Sequence, residues 1–210
     1  MSVNRHCIVI LLQAGLVLWS GRAFAQAQCV TAAVNVAVSP ARAWAILSDL
    51  SVAHLYVPGL TRTEVVSANR LGLGAHRRVY QGGDDYLEET VIEWREGSGF
   101  TITLHEGEEV MAPFERAEFS YSIEPAPAGE TAVELAMIAQ MPWGKFGETL
   151  GRWFIMPVVE VSLVEVAAGL KHFYETGLPA TDEDRERLAA QVHSAIGGKG
   201  CEVFSQGKLR

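Results

Sequence analysis

The sequence predicts an α+β domain: a seven-stranded antiparallel sheet curved around one long C-terminal helix, with two short helices after the first strand. Three observations predict it. One alternating segment opens the domain and runs into two short helical segments. Six further alternating runs follow, punctuated by glycine-containing turns. Residues 143–177 then return to a helical period.

The first strand is residues 29–38, with Val30, Ala32, Val34, Val36 and Val38 on one face. Ser39 and Pro40 form a helix start, Ser39 as the cap and Pro40 in the first helical position. The helix PARAWAILSD buries Trp44 and Leu47, and a second short turn, SVAHLY, precedes Pro58 and Gly59. The six runs are TRTEVVSANR, AHRRVYQ, DYLEETVIEW, FTITLHEG, FERAEFSYSIEP and TAVELAMIAQM. Short runs joined by tight turns make an antiparallel meander.

The long helical stretch contains Pro157, which should kink or restart it. Val161, Val164 and Ala168 recur at i, i+3 and i+7, an apolar stripe expected to cover the sheet. Glu160 and Glu165 lie in the same stretch. Charged groups at mid-bilayer cost about 2.5–3.5 kcal/mol each, so stable membrane insertion of the processed chain is not expected. The tail, residues 178–210, opens with a helix start at Thr181 and ends in glycine-rich sequence expected to be mobile.

Residues 1–25 have the pattern of a secretory signal peptide: Arg5, an apolar run over residues 7–19, and Ala23-Phe24-Ala25 as the exit. The run falls short of the roughly 20 apolar residues a span needs. Export to the periplasm or medium is the expectation, with residues 26–177 as the folded domain. Losing Arg5 and Arg22 with the leader takes the formal charge from −8 to −10. An acidic chain without a basic block argues against nucleic acid and against anionic membrane surfaces, and points to a small neutral or apolar molecule, or another protein, as the partner. The processed chain keeps two cysteines, Cys29 and Cys201, which an oxidising compartment permits to pair. No CxxC, HExxH, GxSxG or phosphate-loop pattern is present, so no metal, cofactor or hydrolytic triad is expected.

The element order resembles the helix-grip superfamily (SRPBCC, or START-like), which includes the major birch-pollen allergen, the START lipid-transfer domains and the bacterial polyketide cyclase/dehydrase-like proteins. The resemblance is carried by VNVAVSPARAWAILSDLSVAHLYVPGL, LGLGAHRRVY, YLEETVIEW and GLKHFYE, and covers roughly residues 30–175. It implies a hydrophobic cavity between the twisted sheet and the long helix. The leader and the tail lie outside the family's usual extent.

In DYLEETVIEW, Tyr86, Glu88, Thr90, Ile92 and Trp94 form the more apolar face, which is assigned to the interior, and Glu89 is assigned to solvent. Glu88 then stands at the cavity. An odd-numbered hairpin loop puts Arg78 opposite it; an even one leaves Arg77 diagonal to it. Either arginine explains how a carboxylate survives there. The pair reads first as structural, with ligand orientation or acid/base chemistry as the alternative. Candidate wall residues are Tyr86, Trp94, Phe119, Tyr121, Met137, Trp153, Val161, Val164 and Ala168, with His54 and Tyr56 at the mouth.

Two functional classes compete: an exported binding or carrier protein for a hydrophobic, lipid-like or polyketide-like molecule, and a cyclase/dehydrase-like enzyme using Glu88 with an arginine. A protein-interaction module is a third. No acid and base stand at a defined spacing, and carrier-tethered intermediates do not occur in a periplasm, so binding is favoured.

Overall fold

The structure, a computed structural model, describes residues 27–197 and Cys201. The expected leader, and the glycine-rich end of the tail apart from Cys201, lie outside the described residues.

Strand β1 (Gln28–Val36) leads into helix α1 (Pro40–Leu47), capped by Ser39, whose Oγ accepts from the Arg42 amide at 3.4 Å. A single 3-10 turn (Ala53–Leu55) replaces the second helix. Then come β2 (Arg62–Val65), β3 (His76–Gly82), β4 (Asp85–Arg95), β5 (Gly99–Glu106), the two-residue β6 (Glu109–Val110), β7 (Arg116–Pro125) and β8 (Thr131–Gln140). Helix α2 (Gly144–Leu150) passes through a π-helical turn (Gly151–Ile155) into α3 (Met156–Thr176). Helix α4 (Asp182–Ala189) and β9 (His193–Ile196) follow.

All strands join one antiparallel sheet in the order β2-β3-β4-β5-β7-β8-β1-β9, with β6 pairing only β5. The seven expected strands are present. Strand β9 is an addition that HSAI, too short to show a period, did not announce. It pairs with β1 from Val30 opposite Ile196 to Ala33 opposite His193, and so covers what would be an open sheet edge.

The inner face of β1, β7 and β8 carries Val30, Ala32, Val34, Tyr121, Ile123, Val133 and Leu135, all in the core. From α3, Leu163, Val166, Ala167, Leu170 and Tyr174 pack onto it. This corrects the expected stripe. Val161 is exposed, Val164 is half-buried, and Ala168 is buried outside that core, while α4 packs along α3. Helix α3 has two apolar stripes, and periodicity alone does not say which one meets the sheet.

The helix restarts at Pro157, the second of the two expected outcomes. The proline sits in the first turn of α3, directly after the π turn, where a missing N–H costs little. Gly169 has a packing reason: a Cβ there would lie 2.3 Å from the Tyr56 carbonyl oxygen, so only glycine lets the 53–57 segment rest on α3.

Candidate functional site

Strands β3 and β4 pair with Arg77 opposite Glu89 and Arg78 opposite Glu88, the odd-numbered alternative, with a register irregularity between Tyr80 and Gly82. Ala75, Arg77 and Val79 are all buried, so Arg77 points inward with a basic group among apolar neighbours. Its Nε donates to Glu89 Oε2 at 2.5 Å and its Nη1 to the Leu50 carbonyl at 3.0 Å. Arg77 is 2% exposed and Glu89 9%. Burial opposes the Arg77 charge, but the Glu89 carboxylate and the nearby tyrosines outweigh it and raise the pKa.

Tyr56 and Tyr121 complete the cluster. Their hydroxyls share a hydrogen bond, and Tyr56 is also bonded to Arg77. Burial pushes both phenols up, Tyr121 the further, so both stay neutral and able to donate. Phe119 and Tyr121 are adjacent inner residues of β7, with ring centroids 4.8 Å apart.

A cavity of about 540 Å³ opens above this cluster. Glu89, Tyr121 and Gln81 are its polar wall; Val79, Leu87, Leu104, Phe119 and Val166 are its apolar wall. Residues 57–60 close one side, with Gly59 at φ 77° making the turn after Pro58. Arg77 stands behind Glu89 and not on the wall.

Glu88 is therefore not the cavity carboxylate. It lies on the outer face, where Arg78 donates to it at 3.1 Å, the Gly107 amide at 3.0 Å, and His76 Nε2 sits 3.5 Å away. The assignment failed because of a bulge. Val91 pairs with Ile102 but Glu93 with Thr101, so Ile92 is an extra residue that resets the alternation. Trp94 does turn inward, as expected, but beyond the bulge it shares that side with Leu87, Glu89 and Val91. Read over residues 85–91 alone, Leu87 and Val91 would have placed Glu89 inside.

Several expected wall residues are elsewhere. Tyr86 is exposed, its ring 4.5 Å from the outer-face Arg78 guanidinium. Trp94 packs edge-on to Trp44 at 5.0 Å, and Glu96 accepts from both indoles. Met137 is buried in the core and does not line the cavity. Trp153 and Val161 are exposed; Val161 and Val164 line a separate groove beside α4. Ala168 lines neither. His54 bonds Thr63 Oγ1 through its amide and Nδ1, off the cavity wall. Phe119 and Tyr121 are on the wall, and Tyr56 supports it from behind. Leu87, Leu104 and Val166 went unrecognised, since their apolarity looks the same in a core as in a wall.

A buried ion pair, two neutral phenols and a mostly apolar hollow form one end of the sheet-and-helix enclosure. The family model described as "Polyketide cyclase / dehydrase and lipid transport" matches residues 27–175. The chain belongs to that family. Helix α4 and β9 lie beyond the matched residues. No curated protein matches the chain in sequence. Two solved structures share the family's fold with it. A protein from Nitrosospira multiformis is 14% identical, with TM-score 0.52, over 71% of this chain and 97% of its own. A protein from Thermobifida fusca, solved by NMR, is 18% identical, with TM-score 0.52, over 70% and 95%.

Family and fold indicate a hydrophobic-ligand-binding or cyclase/dehydrase-like protein. Among the described residues no group of three or more His, Cys, Asp and Glu side chains stands close enough to hold a metal. What the site offers is a fixed negative acceptor beside a neutral phenol in an apolar hollow.

Proposed function

We propose that the protein is an exported binding or carrier protein for a small hydrophobic molecule with one polar, hydrogen-bond-donating end. The observation that carries this reading is the cavity wall: Glu89 and Tyr121 lie together, and most of the remaining wall is apolar. A volume of about 540 Å³ is in the usual range for pockets that enclose one small ligand. Glu89 takes a hydrogen bond from Arg77 on one side and presents its carboxylate to the cavity on the other, as an acceptor. A ligand hydroxyl would donate to Glu89, a ligand carbonyl would accept a hydrogen bond from Tyr121, and the apolar body would fill the hollow. Export is supported by the leader pattern and by the Cys29 to Cys201 disulfide, a bond that persists in oxidising compartments.

A second reading has a specific observation in its favour. A charged carboxylate and a neutral phenol facing one cavity are a base and an electrophilic donor, the pair that an aldol-type closure or dehydration of a polyketide-like substrate uses. Glu89, not Glu88, would be the base.

Native mass spectrometry of the protein from its own host's periplasmic fraction tests the first reading. A chain starting near Gln26 that carries a non-covalent small-molecule mass is the expected result. A chain that retains residues 1–25 sinks the export, and one that never carries a ligand sinks the carrier role.

A further inference from the structure

A buried arginine at the end of an apolar hollow suggests, by residue type alone, an anchor for a carboxylate-ended ligand such as a fatty acid. The geometry here reverses that expectation. Arg77 is not on the wall of the hollow. Its donors are also taken: Nε by Glu89, Nη1 by the Leu50 carbonyl at 3.0 Å, and a further hydrogen bond by Tyr56. Leu50 and Tyr56 are each only 2% exposed, so the guanidinium is held from behind by parts of the core.

What faces the hollow is Glu89. Its Oε2 takes the Arg77 hydrogen bond, and among the described residues no protein donor reaches Oε1. Among the described residues, too, no lysine, arginine or histidine lines the hollow. An entering carboxylate would therefore meet a carboxylate first, with the balancing arginine behind it. Two carboxylates in one site repel, and the second enters only by taking up a proton. A cationic end fares no better. An ammonium would find Glu89, but Arg77 already balances that charge at 2.5 Å, so the three groups would carry one uncompensated positive charge in an apolar enclosure. A hydroxyl brings no such penalty. It donates to Glu89 and leaves the pair neutral, with the neutral Tyr121 phenol beside it on the wall.

We infer that the hollow selects uncharged, hydroxyl-ended amphiphiles and excludes ionised ends of either sign, with the self-neutralised Arg77–Glu89 pair as the specificity-determining element. The inference rests on the reading of this hollow as a ligand cavity, and names which ligands it admits. It also assigns the pair a use beyond packing: a polar contact inside an apolar enclosure that carries no net charge.

The test compares three probes of one chain length at neutral pH: decanol, decanoate and decylammonium, each displacing an apolar fluorophore from the protein. Decanol should bind at least about tenfold tighter than either ion. Two variants should then move the preference in opposite directions. Glu89→Gln leaves Arg77 without its counter-charge, so decanoate should bind at least about tenfold tighter than to wild type and raise the variant's melting temperature. Arg77→Met leaves Glu89 uncompensated, and decylammonium should gain in the same way. Both variants lose stability, and one that is unfolded alone should be refolded by its own ion and not by the other, as circular dichroism reads. Glu88→Gln, on the outer face, should keep the wild-type order of the three probes. Wild-type protein that binds either ion as tightly as decanol overturns the inference and leaves the carrier reading standing. Variants that respond alike to both ions overturn it as well. Wild-type protein that binds none of the three overturns the carrier reading, and the inference with it.

Discussion

Arg77 and Glu89 face each other across β3 and β4 inside the sheet-and-helix enclosure, Nε 2.5 Å from Oε2, with the arginine almost sealed from water. Removing one member leaves an uncompensated buried charge, which typically costs about 3–5 kcal/mol. Glu89→Gln should therefore lower unfolding stability by that amount in urea titration. Replacing both partners, Arg77→Met with Glu89→Leu, should recover much of the loss, because the desolvation penalty disappears with the charges. Glu88→Gln serves as the contrast. Glu88 is itself buried, but its partner Arg78 is 37% exposed and returns to water when the pair is broken, so the loss should be smaller than for Glu89→Gln. Equal damage from Glu88→Gln and Glu89→Gln would contradict the assignment of Glu89 to the interior.

The strand order, the helix start at Ser39 and the long terminal helix were legible because each has its own local signal: a period, a cap, a proline. The inward carboxylate was not. Its face depends on an extra residue, Ile92, whose side chain looks like any strand residue and whose role exists only relative to Thr101 and Ile102 on β5. The α3 stripe failed for a related reason. Val161, Val164 and Ala168 obey the helical period as well as Leu163, Val166 and Leu170 do, and only the partner surfaces distinguish them.

The same distinction gives a cavity test. Val166 lies on the cavity wall, whereas Val161 is exposed on the far side of the helix. Val166→Trp should fill ligand volume and weaken binding of an apolar fluorophore at least about tenfold, the scale of one lost apolar contact surface. Val161→Trp should leave fluorophore affinity unchanged. If the two variants behave alike while remaining folded, the fluorophore occupies some other hollow.

Acid stability should carry two signatures. For Glu88, burial raises the pKa, but the hydrogen bonds from Arg78 and the Gly107 amide, with His76 nearby, bring it below its ordinary 4.5. A depressed folded value means that the stabilisation is complete above about 4.5 and is lost as pH falls through the folded pKa. Asp184 is held at about 2 against 3.8 by the Thr181 cap and Arg187, so its contribution is lost between those values. Melting temperature against pH from 6 to 2 should fall less steeply below about 4.5 in Glu88→Gln than in wild type. An unchanged acid slope would mean that Glu88 titrates alike in the folded and unfolded chains.

Cys29 opens β1, and Cys201 reaches it from beyond β9, with Sγ atoms 2.05 Å apart. The bond closes a loop of sequence separation 172, so constraint of the unfolded chain contributes on the order of 4–5 kcal/mol in the loop-entropy account, an upper figure. Thiol titration of protein denatured without reductant should find essentially no free cysteine in residues 26–210. Reduction, or Cys201→Ser, should lower the melting temperature and loosen β9 first, because that edge strand pairs with no described strand but β1 and precedes the tail that carries Cys201. Hydrogen exchange reads this directly. The amides of residues 193–196 should lose protection in Cys201→Ser while those of β7 and β8 keep theirs. Uniform loss across the sheet would show that the disulfide holds the whole fold and not its β9 edge.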